Sequence, residues 1–206
     1  MRLLWAATTK DDRLPEFKPS RDPHSLAGQI LVAMPLMNDP RFEKAVIVLC
    51  VHNADGAMGV VLNRQSNSIT YPELLQQLGL PSHLVDDKKP VFYGGPVEAG
   101  RGFVVHSDDI LQESTLKISD GLALTATVDI LRSIGEGRGP QQNLLALGYA
   151  GWGPGQLEAE IAANSWLNLP ADAGLIFDEN ADGKWSRAIA KMGIALHHLS
   201  GTAGHA

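Results

Sequence analysis

The 206-residue sequence has little of what several protein classes require. Its single cysteine, Cys50, excludes an intramolecular disulfide framework and a zinc site built from cysteines, and it fits a reducing compartment. Charged residues make up only 19%, and 17 Lys and Arg against 23 Asp and Glu give a formal net charge of -6. The densest basic run is Lys88-Lys89, so direct nucleic-acid binding, which needs a basic patch to neutralise phosphates, is not expected.

Long hydrophobic runs are also absent. A membrane helix needs roughly 20 apolar residues, and no stretch approaches that length, so no membrane association is expected. The apolar residues 3–7 form a shorter run than the core of a secretory signal, and charged residues follow at 10–13. The sequence therefore predicts a soluble, cytoplasmic protein.

The patterning predicts one domain with two irregular ends. Residues 1–25 mix charges with three prolines and show no apolar period, which predicts a flexible N-terminal arm. Residues 26–196 carry strand and helix patterns without a linker or an internal repeat, so they are predicted to form a single globular domain. Small residues dominate 197–206 and predict a frayed C-terminal tail.

Strands and helices are interspersed in the predicted domain. Apolar runs rich in β-branched residues predict buried strands at 29–34, 45–51 and 144–149. Asn53-Ala54-Asp55-Gly56 has turn chemistry and predicts a hairpin turn after the strand at 45–51. Thr70 and Glu73 have the spacing of a capping box and start a helix. Because hairpins are evident and no regular β-α-β alternation exists, the fold class is α+β. Further helices are predicted at 128–135, 157–164 and 185–192, and a late strand at 175–177.

An acidic turn at residues 178–183 matches the opening of an EF-hand loop, D-x-N-x-D-G. A calcium site also needs a bidentate carboxylate at loop position 12, where this chain has Ile189. We therefore predict no calcium. A turn that leads into the last helix, with Asp182 as its N-cap, explains the same residues.

A glycine-rich turn at residues 148–156 separates a predicted strand from a predicted helix. It lacks the glycine at position 156 that a dinucleotide fingerprint needs, and Glu158 and Glu160 would repel an anion at the helix start. One interpretation is a purely structural turn. The other is a ligand loop whose functional groups are Trp152 and Gln156.

Cys50 and His52 form a second candidate. Alternate residues of a strand share a face, roughly 7 Å apart, so we expect the thiol and the imidazole to point the same way. An imidazolium beside a thiol lowers the pKa of the thiol, which would suit a redox sensor. The alternative is that Cys50 is buried and packs as a small apolar residue.

His106 begins the sequence His106-Ser107-Asp108-Asp109, which contains the residue types of a catalytic triad. Adjacent residues rarely form a triad, because its members are assembled across a fold. A hydrolase or transferase would need His106 to meet an acid and a nucleophile from distant segments. We therefore assign no catalytic residue, and we expect neither a metal nor a cofactor.

Several ordered blocks of this sequence resemble the AlgH/YqgE family of uncharacterised bacterial proteins. Taken singly each block is weak, but the set falls in order over about residues 26–195. The blocks include Gly28-Gln29-Ile30-Leu31-Val32-Ala33-Met34-Pro35, Asp39-Pro40-Arg41-Phe42, residues 52–64, Tyr93-Gly94-Gly95-Pro96-Val97, residues 101–106, residues 147–152, residues 155–161 and Asn164-Ser165-Trp166, followed by Trp185 and Gly193-Ile194.

The resemblance implies an α+β fold with a bifurcated, mostly antiparallel sheet, partly closed as a small barrel and surrounded by helices. It implies no particular reaction or cofactor. Members are often labelled transcriptional regulators, and the acidic balance of this chain makes an indirect regulatory role the better expectation. Many relatives continue with proline after Asn63-Arg64, where this chain has Gln65.

Polar and aromatic loop residues in these blocks are the candidates for binding a ligand or partner. Gln156, Glu160 and Asn164 have the spacing i, i+4 and i+8, which predicts one helix face. The alternative is that Asn63 and Gln156 satisfy buried backbone groups around the glycine turns. The full candidate set is Asn63, Arg64, His106, Trp152, Gln156, Glu160 and Asn164.

The main hypothesis is a non-catalytic binding or regulatory protein that acts through a protein partner or a small ligand. The first alternative is a thiol-based redox sensor centred on Cys50. A hydrolase or transferase is the third.

Overall fold

In the computed structural model, which describes residues 24–193, ten strands and five α-helices follow one another. The predicted tail lies outside the described residues, as does the predicted arm apart from residues 24–25. The strands are β1 (Ile30–Ala33), β2 (Val46–Asn53), β3 (Gly56–Val61), β4 (Gln65–Thr70), β5 (Pro90–Tyr93), β6 (Val97–His106), β7 (Leu116–Ser119), β8 (Leu122–Thr125), β9 (Asn143–Trp152) and β10 (Trp166–Leu169). The helices are α1 (Tyr71–Gln77), α2 (Val128–Gly135), α3 (Gln156–Ala162), α4 (Ala173–Ile176) and α5 (Lys184–Lys191), with a 3-10 turn at Pro40–Phe42.

The strands form one branched sheet, in the order β10-β1-β2-β3-β9-β6-β8-β7. Strand β9 is the branch point: its first half pairs in parallel with β5, and its second half pairs antiparallel with β3. Strand β4 extends the branch by pairing with β5. The outer strands β10 and β7 each pair with one neighbour and do not meet. The sheet is therefore open, and the expected partial closure into a barrel is not supported.

Glycines make the branch possible. The turn Gly94-Gly95 runs so close to β9 that a Cβ on Gly94 would lie 2.2 Å from the carbonyl oxygen of Gly148. The N–H of Gly94 donates to Leu147, and the N–H of Val61 donates to Gly94. The glycine turn thereby fills the gap where β3 and β5 separate, and no side chain would fit there.

Local sequence signals are confirmed at three elements. Thr70 and Glu73 form the reciprocal capping box of α1, α2 has the predicted bounds, and the turn between β2 and β3 falls at the predicted residues. The late strand predicted at 175–177 is wrong. Asp172 accepts a hydrogen bond from the N–H of Leu175 at 2.8 Å, which caps and starts α4 instead.

Within the described residues, the core has three apolar clusters around the branched sheet. One lies under α4 and α5 and includes Cys50 and Phe92. The second lies under α3 and includes Trp152 and Trp166. The third is covered by α1 and α2. Most of the residues that the sequence analysis singled out lie around the second cluster.

Candidate functional site

The carboxylate of Glu160, on α3, joins three parts of the fold through hydrogen bonds. Its Oε2 accepts hydrogen bonds from the indole nitrogens of Trp152 (3.0 Å) and Trp166 (2.7 Å). Its Oε1 accepts from the side-chain amide of Gln156 at 2.8 Å. One acidic side chain thus fixes residues from β9, α3 and β10. Glu160 is one of the residues predicted from the sequence, but its two tryptophan partners were not predicted.

Gln156 also closes the glycine-rich turn. Gly155 adopts a left-handed conformation (φ 71°) at the N-cap of α3, and the carbonyl oxygen of the Gln156 side chain accepts from the N–H of Gly153 at 3.0 Å. Gln156 therefore satisfies a backbone group of the turn, as the structural interpretation expected, while it also orients Glu160.

The two indoles that donate to Glu160 also belong to an aromatic cluster. It consists of Phe42, Trp152 and Trp166. The ring of Phe42 stacks on Trp152 with a centroid separation of 6.5 Å and meets the edge of Trp166 at 5.8 Å. The two indoles meet edge to face at 5.9 Å. Both tryptophans are buried and Phe42 is half-buried, so Phe42 forms the outer layer.

Phe42 belongs to the segment 34–44, which we call the platform loop. Asp39 caps the 3-10 turn of this loop by accepting from the N–H of Arg41, and the Arg41 guanidinium pairs with Asp39 at 2.7 Å. That guanidinium also lies 5.9 Å from the Phe42 centroid. Leu36, in the same loop, is 71% exposed.

Asn63 and Arg64 hold the far end of the platform loop. The side chain of Asn63 accepts from the N–H of Val46 at 2.9 Å and donates to the carbonyl of Lys44 at 2.8 Å. The guanidinium of Arg64 donates to the carbonyl of Glu43 at 3.1 Å. Asn63 therefore satisfies backbone groups, as the structural alternative expected, but these belong to Lys44 and Val46 and not to a glycine turn. Asn63, Arg64 and Trp152 thus contact the platform loop directly. Glu160 is connected to the loop through Trp152, and Gln156 through Glu160.

Asn164 does not share a helix face with Gln156 and Glu160. Helix α3 ends at Ala162, and Asn164 follows in a left-handed conformation with φ 56°. Its N–H donates to the carbonyl of Ile161 at 2.9 Å. The i+8 spacing is therefore interrupted, because the chain turns before a further helical turn is complete.

His106 lies on another part of the sheet, where β6 pairs with β8. It is fully buried. Because a carbonyl can only accept, Nδ1 of His106 donates to Ser107 (2.8 Å), and Nε2 accepts from the hydroxyl of Thr125 (2.8 Å). Burial lowers the pKa of His106, so the ring is neutral and structural near pH 7. This arrangement does not present His106 to a substrate.

Cys50 and His52 point to opposite sides of the sheet. A β-bulge between Leu49 and Val51 interrupts the alternation of β2. Cys50 is 3% exposed in the core beneath α4 and α5, and burial raises the pKa of its thiol to about 12. His52 instead accepts from the N–H of Leu26 (3.0 Å) and donates to Glu158 of α3 (2.8 Å). The expected shared face is therefore not formed.

The acidic turn at 178–183 is bound by a cationic side chain, Arg187 of α5. The guanidinium of Arg187 donates to the carboxylate of Asp178 and the carbonyl of Asn180, both at 2.6 Å, and to the carbonyl of Asp182 at 2.9 Å. The N-cap of α5 is Gly183 and not Asp182 as predicted. Within residues 24–193, no group of three or more His, Cys, Asp and Glu residues is placed to hold a metal ion.

Two further features were not found from the sequence. Lys184, the first residue of α5, is completely buried. A shallow groove of about 510 Å³ lies between the end of β10 and α5, where Asp172 pairs with Lys191.

In the part of the chain that the structure describes, no helix has the length and apolar character needed to cross a membrane.

Comparison with known proteins identifies the family. The sequence model described as AlgH-like matches residues 30–197. The chain belongs to the AlgH-like family. Among curated relatives, a UPF0301 protein of Afipia carboxidovorans is 51% identical over 203 residues, covering 95% of this chain and 97% of the relative. The UPF0301 protein blr1492 of Bradyrhizobium diazoefficiens is 53% identical over 189 residues, covering 88% of each.

Solved structures agree with membership of the AlgH-like family. The solution structure of the AlgH protein from Pseudomonas aeruginosa is 41% identical, with a TM-score of 0.73, and the match covers 92% of this chain and all of that one. The crystal structure of DIP2367 from Corynebacterium diphtheriae has a TM-score of 0.71 at 20% identity, covering 88% of this chain and 94% of that one, and shows a shared fold.

Proposed function

We propose that this AlgH-like protein is a non-catalytic binding protein whose platform loop docks a partner protein. The observation that carries the proposal is Leu36, an apolar side chain 71% exposed on a loop that the fold holds firmly from beneath. A large apolar side chain on a well-anchored loop is suited to enter a pocket of another protein.

The anchoring is extensive. The aromatic cluster supports the loop through Phe42, Glu160 fixes both indoles, and Asn63 and Arg64 tie down the loop's far end. A surface that is already ordered loses little conformational entropy when it binds. The polar groups of the site hydrogen-bond to one another and thereby hold the loop in place, which favours a role in binding over a role in catalysis.

The platform loop and the start of α3 also carry exposed polar residues of kinds found at protein interfaces. Arg41 is exposed on the same loop, and Gln156 is exposed at the start of α3. Arginine is enriched at interface hot spots, and it can pair with carboxylates on a partner. Small ligands prefer concave sites, whereas Leu36 projects outward, which favours a protein partner over a small ligand.

The alternatives have less support. A sensor at Cys50 would need an accessible thiolate, and this thiol is buried with a raised pKa. A hydrolase or transferase would need His106 to reach a substrate, and it is buried against Thr125. We place the function in the cytoplasm, since the single cysteine is free. Any influence on transcription would then pass through the docked partner.

Site-specific photo-crosslinking in the native host tests this proposal. A benzophenone amino acid replaces Leu36, and in matched controls it replaces Leu84 or Leu111, which are 60% and 54% exposed elsewhere on the protein. We expect one discrete crosslinked species from position 36 that the controls lack, and its loss when Arg41→Glu is added. Equal crosslinking from all three positions would remove the special role of the platform loop.

A further inference from the structure

Lys184 is buried with few polar partners. Its amine donates a 3.3 Å hydrogen bond to the carbonyl of Ile176 and lies 5.7 Å from the centroid of the Phe92 ring. None of the ion pairs within residues 24–193 includes this amine. Because the side chain is fully buried and none of those carboxylates pairs with it, burial favours the uncharged amine.

The loop 177–183, which we call the strap, joins Ile176 to Lys184. Arg187 fastens the strap through Asp178, Asn180 and Asp182, so a guanidinium sits among oxygens that could otherwise face a metal ion. On the other side, the side-chain amide of Gln65 donates to the carbonyl of Glu179 at 2.8 Å. The hydrogen bond from Lys184 to Ile176 thus joins the two ends of the strap, and Arg187 holds the residues between them.

The fastening of the strap is mostly polar and close to solvent. Glu179, Asn180 and Asp182 are exposed, and Arg187 is half-buried. A loop held by a few solvent-exposed hydrogen bonds opens more readily than the apolar core. Opening it would bring the Lys184 amine into contact with solutes while α5 stays packed through Trp185, Ala188 and Ile189.

We propose that Lys184 is a covalent attachment site for an aldehyde or ketone, and that the strap controls access to it. The amine nitrogen attacks the carbonyl carbon and forms a C–N bond. The carbonyl oxygen then leaves as water with the two amine protons, which breaks the C–O bonds and leaves an imine. No oxidant or reductant is needed. This attachment site is independent of the platform loop.

The surroundings of Lys184 favour this chemistry over that of an ordinary lysine. Burial lowers the pKa of Lys184 to about 8, Asp178 opposes that effect, and Arg187 adds to it. At pH 7 about a tenth of the amine is therefore neutral, against less than about a thousandth for an ordinary lysine. A desolvated amine close to a second cation is the form of lysine that makes Schiff bases.

Reductive trapping tests the proposal on the full-length chain. The protein is treated at pH 7 with isotopically labelled formaldehyde and cyanoborohydride, and the methylation rate of each lysine is measured by mass spectrometry. The exposed Lys44 is the internal standard. Arg187→Gln and Asp178→Asn both loosen the strap but shift the pKa of Lys184 in opposite directions, and Arg138→Gln is a matched control away from the strap.

We expect slow labelling of Lys184 in the unmodified chain and a rise of about tenfold or more in both strap variants, with no change in Arg138→Gln. In the unmodified chain, where the strap is closed most of the time, the neutral fraction of the buried amine limits the rate at Lys184, so that rate levels off above pH 8, whereas the rate at Lys44 keeps rising. The pH at which the rate levels off is higher in Arg187→Gln and lower in Asp178→Asn. Labelling of Lys184 only after global unfolding would overturn the proposal. So would its absence in both strap variants while their near-UV circular dichroism remains native, or a pH profile equal to that of Lys44.

Discussion

Glu160 is the side chain on which the candidate site depends most directly. It accepts three hydrogen bonds, from the indoles of Trp152 and Trp166 and from the amide of Gln156. Glu160→Ala removes all three acceptors at once. Both indole N–H groups belong to buried side chains, so they would lose their partners in surroundings that offer water little access.

The expected loss follows from the number and kind of these bonds. A hydrogen bond to a charged acceptor contributes about 1.5–3 kcal/mol, and an unsatisfied buried donor is unfavourable by about 1–3 kcal/mol. Glu160 is itself partly exposed, which weakens each contribution through solvent screening. We therefore expect Glu160→Ala to lower the free energy of unfolding by about 2–4 kcal/mol.

A pair of matched variants separates hydrogen bonding from packing. Glu160→Gln keeps the size of the side chain, but its new amide donor faces the donor of Gln156, so we expect a loss of about 1–2 kcal/mol. Adding Gln156→Glu reverses the polarity: the carboxylate at position 156 can accept from the new amide and from the N–H of Gly153. The double variant should therefore recover most of the stability that Glu160→Gln lost.

Urea unfolding followed by tryptophan fluorescence measures these differences. Two of the four tryptophans belong to the aromatic cluster, so the same signal reports on the site and on the fold. The reasoning is refuted if Glu160→Ala changes stability by less than about 0.5 kcal/mol, the usual range for surface substitutions. It is also refuted if the double variant is no more stable than Glu160→Gln.

Two further predictions concern buried titratable groups. Lys184→Met should raise the free energy of unfolding at pH 7 by about 1–3 kcal/mol, because it removes a buried amine that pairs with no carboxylate of residues 24–193. The pKa of Lys184 is lower in the folded chain than in the unfolded one, so the unfolded chain binds more protons between about pH 8 and 10.5. As the pH rises through this window, the free energy of unfolding of the unmodified chain therefore rises relative to that of Lys184→Met. If urea unfolding gave the same difference between the two proteins at pH 7 and at pH 10, that result would contradict the pKa shift. Iodoacetamide should alkylate Cys50 about 100-fold faster after unfolding than in the native protein, since the buried thiol has a raised pKa; fast native labelling would restore the redox-sensor hypothesis.

Features that depend on neighbouring residues were predictable from the sequence. The capping box of Thr70 and Glu73 needs only residues three positions apart, and the turn between β2 and β3 needs only its own residues. The α+β class and the AlgH-like family were also predictable, since the matching blocks fall in order along nearly the whole domain. The roles of Asn63 and Gln156 in satisfying backbone groups were among the alternatives that the sequence suggested.

Features that depend on distant residues required the tertiary structure. The bulge beside Cys50 arises from the register between β2 and β3, and it turns His52 away from the thiol. The Glu160 site joins an indole from β9 to one from β10, and no sequence period relates them. Lys184 is buried where its amine meets the carbonyl of Ile176 and the ring of Phe92, which distant parts of the fold bring to it. Helical and turn signals act through short-range backbone hydrogen bonds, whereas the pairing of strands and the burial of charged groups depend on which distant segments the whole chain brings together.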